Sequence, residues 1–155
     1  ITLPTTADGT VLTTTNPKAG NIIQVVQVKK TDKFSTGSSS FVDVTGLTVD
    51  ITPQSTSNKI LVRAVVSCGA GGGGIDNKMR LLRGSTAITN EQFVRQDGSQ
   101  ENYTWVLEEL DSPNSTSATT YKIQVLASSN DVFVNRDGSN ELLGQSTITA
   151  MEVAV

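Results

Sequence analysis

Two stretches of this chain bring a carboxylate, a hydroxyl and an amide together within a few residues. Phe93-Val94-Arg95-Gln96-Asp97-Gly98-Ser99-Gln100-Glu101 recurs forty positions later as Phe133-Val134-Asn135-Arg136-Asp137-Gly138-Ser139-Asn140-Glu141. Both carry Phe-Val, Asp-Gly-Ser, an amide residue and Glu. Asp97, Ser99 and Gln100, with Asp137, Ser139 and Asn140, offer the groups that hydrogen-bond sugar hydroxyls, so they are candidate receptor-contact residues. The same residues suit strand ends entering Asp-Gly turns, where glycine supplies the positive φ. Calcium is a weaker option, because neither stretch has the alternating acids of an EF-hand loop.

Other chemistry is scarce. The sequence holds no histidine, which removes the usual general base, the Ser-His-Asp and Cys-His nucleophile systems and imidazole metal ligands. One cysteine, Cys68, forms no intrachain bridge and reads as a small buried hydrophobe. Zinc is not expected, and neither is any cofactor. Glu108 and Glu109 are adjacent, so on a strand they point to opposite faces and cannot act as a facing acid pair. The run Gly69-Ala70-Gly71-Gly72-Gly73-Gly74 lacks the Gly-Lys-Ser/Thr ending of a phosphate loop. It reads as an inter-strand loop, or as a place where backbone approaches closely. The chain is therefore expected not to be an enzyme.

Composition narrows the partners. With a net charge of −3 and only 17% charged residues, the chain lacks the clustered Lys and Arg that phosphate binding needs, so no nucleic acid is expected. No apolar run approaches the ~20 residues of a membrane span, and no membrane insertion or secretory leader is expected. The first residue is Ile1, which leaves room for a longer parent chain.

The elements that must position these residues are strands. Ser and Thr make up about a quarter of the chain, with Val, Ile and Gly prominent, a mixture that suits strands joined by turns. Alternation has period two throughout, with no helical stretch. Residues 1–20, Thr-rich and holding Pro4 and Pro17, read as an extended arm or connector; residues 21–155 read as one domain. Expected strands are Ile22–Val28, Phe41–Val44 running on into Leu47–Ile51, Lys59–Cys68, Lys78–Arg83, Tyr103–Leu110, Thr119–Ala127, Asp131–Val134 and Ser146–Val155, with short pieces at Thr86–Thr89 and Gln92–Arg95. Turn residues between them recur at roughly ten-residue spacing, the rhythm of an all-β sandwich or barrel.

The faces of these strands add a further inference. In Lys59–Cys68 one face is fully apolar, while the other carries Leu61, Arg63, Val65 and Ser67. The outward face of a strand in a monomeric sandwich is normally polar. Outward Leu61, Val65 and Leu126 need cover, most simply from a second copy of the chain. Together with Trp105, which reads as core or subunit contact, they are candidate oligomer-interface residues.

Several segments then resemble a known family. Phe34-Ser35-Thr36-Gly37-Ser38-Ser39-Ser40-Phe41-Val42-Asp43-Val44-Thr45-Gly46-Leu47-Thr48-Val49-Asp50-Ile51-Thr52-Pro53, with Ser55-Thr56-Ser57-Asn58-Lys59-Ile60-Leu61-Val62, is similar to a domain of tail-fibre-like virion proteins of marine phages and cyanophages. Leu82-Arg83-Gly84-Ser85-Thr86-Ala87-Ile88 and Gly144-Gln145-Ser146-Thr147-Ile148-Thr149-Ala150-Met151-Glu152 fit it too, and Leu3-Pro4-Thr5-Thr6-Ala7-Asp8-Gly9-Thr10 resembles the connector before such domains. The strand order also resembles the trimeric jelly rolls of the complement and tumour-necrosis-factor superfamily.

This likeness implies an antiparallel jelly-roll β-sandwich assembled as a homotrimer. It implies a virion location, contact with other virion proteins through the N-terminal arm, and distal loops that adsorb to a host-surface glycan. The rival expectation is a capsid decoration or fibre protein with a purely structural role.

Overall fold

The computed structural model describes residues 17–72, 75–96 and 102–155. Most of the expected N-terminal arm, and Asp97, Ser99 and Gln100, lie outside these residues. Every regular element among the described residues is a strand, and the strands form two antiparallel sheets packed as a jelly-roll-like β-sandwich.

The first sheet is built on β4 (Lys59–Ala70), the longest strand. Along one edge it pairs β11 (Ser146–Val153) over Lys59–Val65 and β10 (Val132–Val134) over Cys68–Ala70. Its other edge pairs β8 (Asn102–Asp111). Outside β11 lies β1 (Ile22–Lys30), and outside β10 lies the short β2 (Phe34–Thr36). The second sheet runs β3 (Val42–Ile51), β9 (Thr119–Leu126) and β5 (Ile75–Arg83). The far edge of β5 pairs β7 (Gln92–Gln96) and β6 (Thr86–Ala87).

Alternation explains what each strand buries. On β9, Tyr121, Ile123 and Val125 are fully buried while Thr120, Lys122, Gln124 and Leu126 face outward. Across the sandwich, Ile60, Val62, Ala64 and Val66 of β4 are also fully buried, beside Ile148 and Ala150 of β11. Burying each Ile or Val among them is worth about 1.5–3 kcal/mol, so the inter-sheet layer dominates stability.

Three features depart from simple alternation. The expected strands Phe41–Val44 and Leu47–Ile51 merge, from Val42 onward, into one strand, β3, with a register shift between Asp43 and Thr48. Gly46 sits there at φ +81°, and the bulge inverts parity so that Val44 and Leu47 are both buried. The glycine run is partly strand, because β4 continues through Gly69 and Ala70. A Cβ at Gly69 would collide with the Arg136 carbonyl, so the close approach is to the chain's own backbone. Finally, Glu152 is fully buried on β11, where it accepts from the Gln54 amide at 2.6 Å and from Asn58 Nδ2 at 2.7 Å. It therefore ties the β3–β4 connection to the last strand.

The two sheets are clamped at one rim. Arg83 Nη1 of β5 donates to both carboxylate oxygens of Asp111 on β8, each at 2.8 Å. Tyr121 Oη of β9 donates to Asp111 Oδ2 at 2.7 Å. Burial, reinforced by that carboxylate, pushes the Tyr121 phenol above its usual range, so it remains a donor.

Candidate functional site

The turn after β10 is the sequence-derived site that the structure describes. Asn135 and Asn140 bracket it with φ of 62° and 66°, left-handed values that asparagine tolerates better than most residues. Between them the Asp137 carboxylate accepts from the Ser139 hydroxyl at 2.7 Å, the Ser139 amide at 3.0 Å and the Glu141 amide at 3.1 Å. The Ser139 hydrogen bond and the backbone amides hold the Asp137 carboxyl below the usual carboxylate range. The Asn140 carbonyl accepts from Lys33 Nζ at 2.9 Å. Asp137 and Ser139 are thus engaged within their own turn, as turn-formers.

The underside of the turn is pinned to the first sheet. Asn135, fully buried, donates to the carbonyls of Lys30 and Asp32 at 3.0 Å each and accepts from the Ser146 hydroxyl at 2.7 Å. Ser146 Oγ in turn accepts from the Ser67 amide at 3.0 Å. Ser67 Oγ donates to Asn102 Oδ1, and Asn102 Nδ2 donates to the Arg136 carbonyl at 3.2 Å. A buried network of this kind holds one arrangement, because each member left unpaired would be penalised. No sequence pattern points to it; the one faint signal is that Asn135 stands where the earlier repeat has Arg95.

The outer face of the first sheet carries the second group of candidates. Directly paired residues on adjacent strands share a face, so the registers define rows across the sheet. Val25, Met151, Leu61 and Leu110 form one such row across four strands. Val25 is 59% exposed and Leu110 46%. The next row is polar and internally paired: Gln27 Nε2 donates to Thr149 Oγ1 at 2.8 Å, and Arg63 lies 3.7 Å from Glu108. A third row runs Lys29, Thr147, Val65 and Val106, the last 44% exposed.

Leu61 and Val65 therefore sit together on this face, with Val25, Met151, Leu110 and Val106 completing it. Trp105 does not join them. It pairs with buried Val66 and packs against the core, with its buried Nε1 unpartnered among the described residues. Leu126 lies on the outer face of the opposite sheet, where it pairs with Lys78.

Among the described residues, no group of three acids or cysteines is arranged to hold a metal ion, and no helix is long and apolar enough to cross a membrane. Burial drives the Cys68 thiol above its usual range, which disfavours a thiolate there.

No protein-family model and no curated protein matches the sequence. Similar folds occur among solved structures. Dimeric latent PorU from Porphyromonas gingivalis aligns with 88% of this chain at 9% identity and a TM-score of 0.50. A chain of infectious bursal virus derived T=1 particles aligns with 99% at 12% identity and a TM-score of 0.47. A Bacillus endospore appendage, from a family of disulfide-linked pili, aligns with the whole chain at 11% identity and a TM-score of 0.39. The chain spans 14% of PorU and 41% of the viral particle chain, but all of the appendage subunit. At these identities the likeness concerns the fold alone.

Proposed function

We propose that this chain is a non-enzymatic structural subunit of a virion, a tail-fibre-like phage appendage module that assembles as a homotrimer. The observation that carries this reading is the outer face of the first sheet. A row of four apolar side chains, two of them about half exposed, is a poor surface to leave in water and a good one to cover with another copy. The resemblance of Phe34–Val62 and of the closing strand to phage virion domains supports the location. The N-terminal arm would join other virion proteins. Distal loops would touch a host-surface glycan weakly, with several copies acting together through avidity.

Light scattering on the purified protein tests the assembly: three times the chain mass supports the reading, and a monomer across the micromolar range overturns it. Labelled protein imaged on particles tests the location. A second reading, a capsid decoration or fibre protein with no receptor, is favoured by the Asp137 turn. Its carboxylate is engaged by Ser139 and Glu141 of the same turn, which leaves that loop less to offer a sugar.

A further inference from the structure

A groove of about 390 Å³ lies where the two sheets meet beside β8. One wall is the segment linking β6 to β7, with Thr89 and Asn90, together with Gln92 at the start of β7; the other is Glu108 and Glu109 of β8. The second sheet supplies the first wall and the first sheet supplies the other, so the sandwich itself fixes the spacing. Among the described residues β8 is hydrogen-bonded only to β4. Antiparallel pairing alternates, so one of the two glutamates also turns its backbone N–H and C=O toward the open edge.

Three of the side chains on these walls are available. The side chains of Asn90, Gln92 and Glu109 have no hydrogen-bond partner among the described residues, unlike those of Asp137 and Ser139 in their turn. Thr89 Oγ1 accepts from the Leu81 amide at 3.0 Å and steadies the wall. Two amides donate and accept while carboxylates accept only, a mixture that matches hydroxyls, which do both. The acids disfavour an anionic ligand. Glu108 and Glu109 point to opposite faces of the strand, so they do not converge on one cation. A volume near the lower end of small-molecule sites fits a short segment rather than a protein partner.

We infer that this groove binds a short, uncharged saccharide segment of a host-surface polymer, held by Asn90, Gln92 and Glu109. The inference rests on the adsorption reading above and moves the contact from the Asp-Gly turns to the rim of the sandwich.

The test uses the intact oligomer against immobilised neutral and acidic oligosaccharides and against host envelope glycans. Saturable binding to a neutral glycan is expected, weakened about ten- to hundredfold by Glu109→Gln or by Gln92→Ala. Oligomer mass should not change, and Asp137→Ala should bind like the parent. Neutral-glycan binding untouched by Glu109→Gln, Gln92→Ala and Asn90→Ala overturns the groove while leaving adsorption standing. Preference for acidic glycans, or loss of binding on chelation of divalent ions, overturns the chemistry assigned here. Absence of binding to every glycan by a well-folded oligomer overturns both the groove and the adsorption reading.

Discussion

The two sheets bury similar inner faces but present opposite outer ones. On the second sheet four outward polar residues are locked to one another. Lys122 Nζ donates to Asp43 Oδ2 at 2.7 Å, and Gln124 Nε2 donates to Asp43 Oδ1 at 2.7 Å. Arg80 donates to Gln124 Oε1 through Nε at 3.0 Å and Nη2 at 2.7 Å, while its guanidinium covers the Phe41 ring at 3.8 Å. On the first sheet, two of the three rows carry apolar side chains that no element among the described residues covers. A polar lattice whose members satisfy each other is a finished surface. An apolar row of the same length gains free energy when something removes it from water. The contrast distinguishes a solvent face from a contact face within one sandwich.

The largest expected effect comes from breaking the contact face. Leu61→Asp would put a carboxylate at the centre of the apolar row, and an unpaired charge in a closed interface costs several kcal/mol. The expected result is an oligomer at least about a hundredfold weaker, seen as a fall to monomer mass on dilution with an unchanged far-ultraviolet spectrum. Retention of mass by Leu61→Asp would mean that assembly uses another surface.

A smaller effect belongs to the rim clamp, which serves both sheets. Asp111→Asn removes the charge that receives Arg83 and Tyr121. Because Arg83 is about a third exposed, the loss falls in the lower part of the range for charged hydrogen bonds, about 2 kcal/mol. Urea unfolding should show it, and light scattering should show the oligomer mass unchanged. The pair of results separates stability of the sandwich from closure of its outer face.

The converse change tests whether polarity alone keeps the second sheet in solvent. Lys122→Val with Gln124→Val removes both partners of Asp43 and leaves Arg80 without its acceptor. Exposed pairs of this kind contribute about 1 kcal/mol or less each, so the fold should survive. New species heavier than the parent oligomer are expected in sedimentation, because the altered strip resembles the row on the first sheet.

How much of this was legible beforehand differs by level. Strand identity was readable because β4 and β9 alternate cleanly, and period-two patterning is a local signal. The half-apolar face holding Leu61 and Val65 was visible within β4 alone. The row was not, since Val25, Leu61, Leu110 and Met151 meet only through three registers set by long-range pairing. Alternation places Leu126 outward and Trp105 mid-strand among apolar neighbours, and only the pairing with Lys78 and Val66 sets them apart from Leu61. The three-residue strand β2 is too short to carry a period. Glu152 lay on the same parity as Ile148 and Ala150, a charged residue at a core position, yet its donors Gln54 and Asn58 are about a hundred positions away. The groove beside β8 joins residues from both sheets, and no motif spans it.

The smallest effect is in acid, and its sign follows from Asp43. The Lys122 hydrogen bond, with help from Gln124, holds the Asp43 carboxyl below its ordinary 3.8 despite partial burial. A carboxyl with a depressed folded-state pKa adds stability above its unfolded value and loses it as pH falls through the folded value. Both partners are partly exposed, so the gain is only a few tenths of a kcal/mol and is screened by salt. The comparison of wild type with Lys122→Met isolates it, because Asp137, also depressed, titrates alike in both proteins. The difference in urea midpoint should be present at about pH 6 and gone by about pH 2, where the carboxyl is protonated. The row of Val25, Met151, Leu61 and Leu110 carries no proton to lose. A surface held by charge should therefore weaken in acid while the apolar row does not, and equal acid sensitivity of stability and oligomer mass would erase the distinction between the two faces.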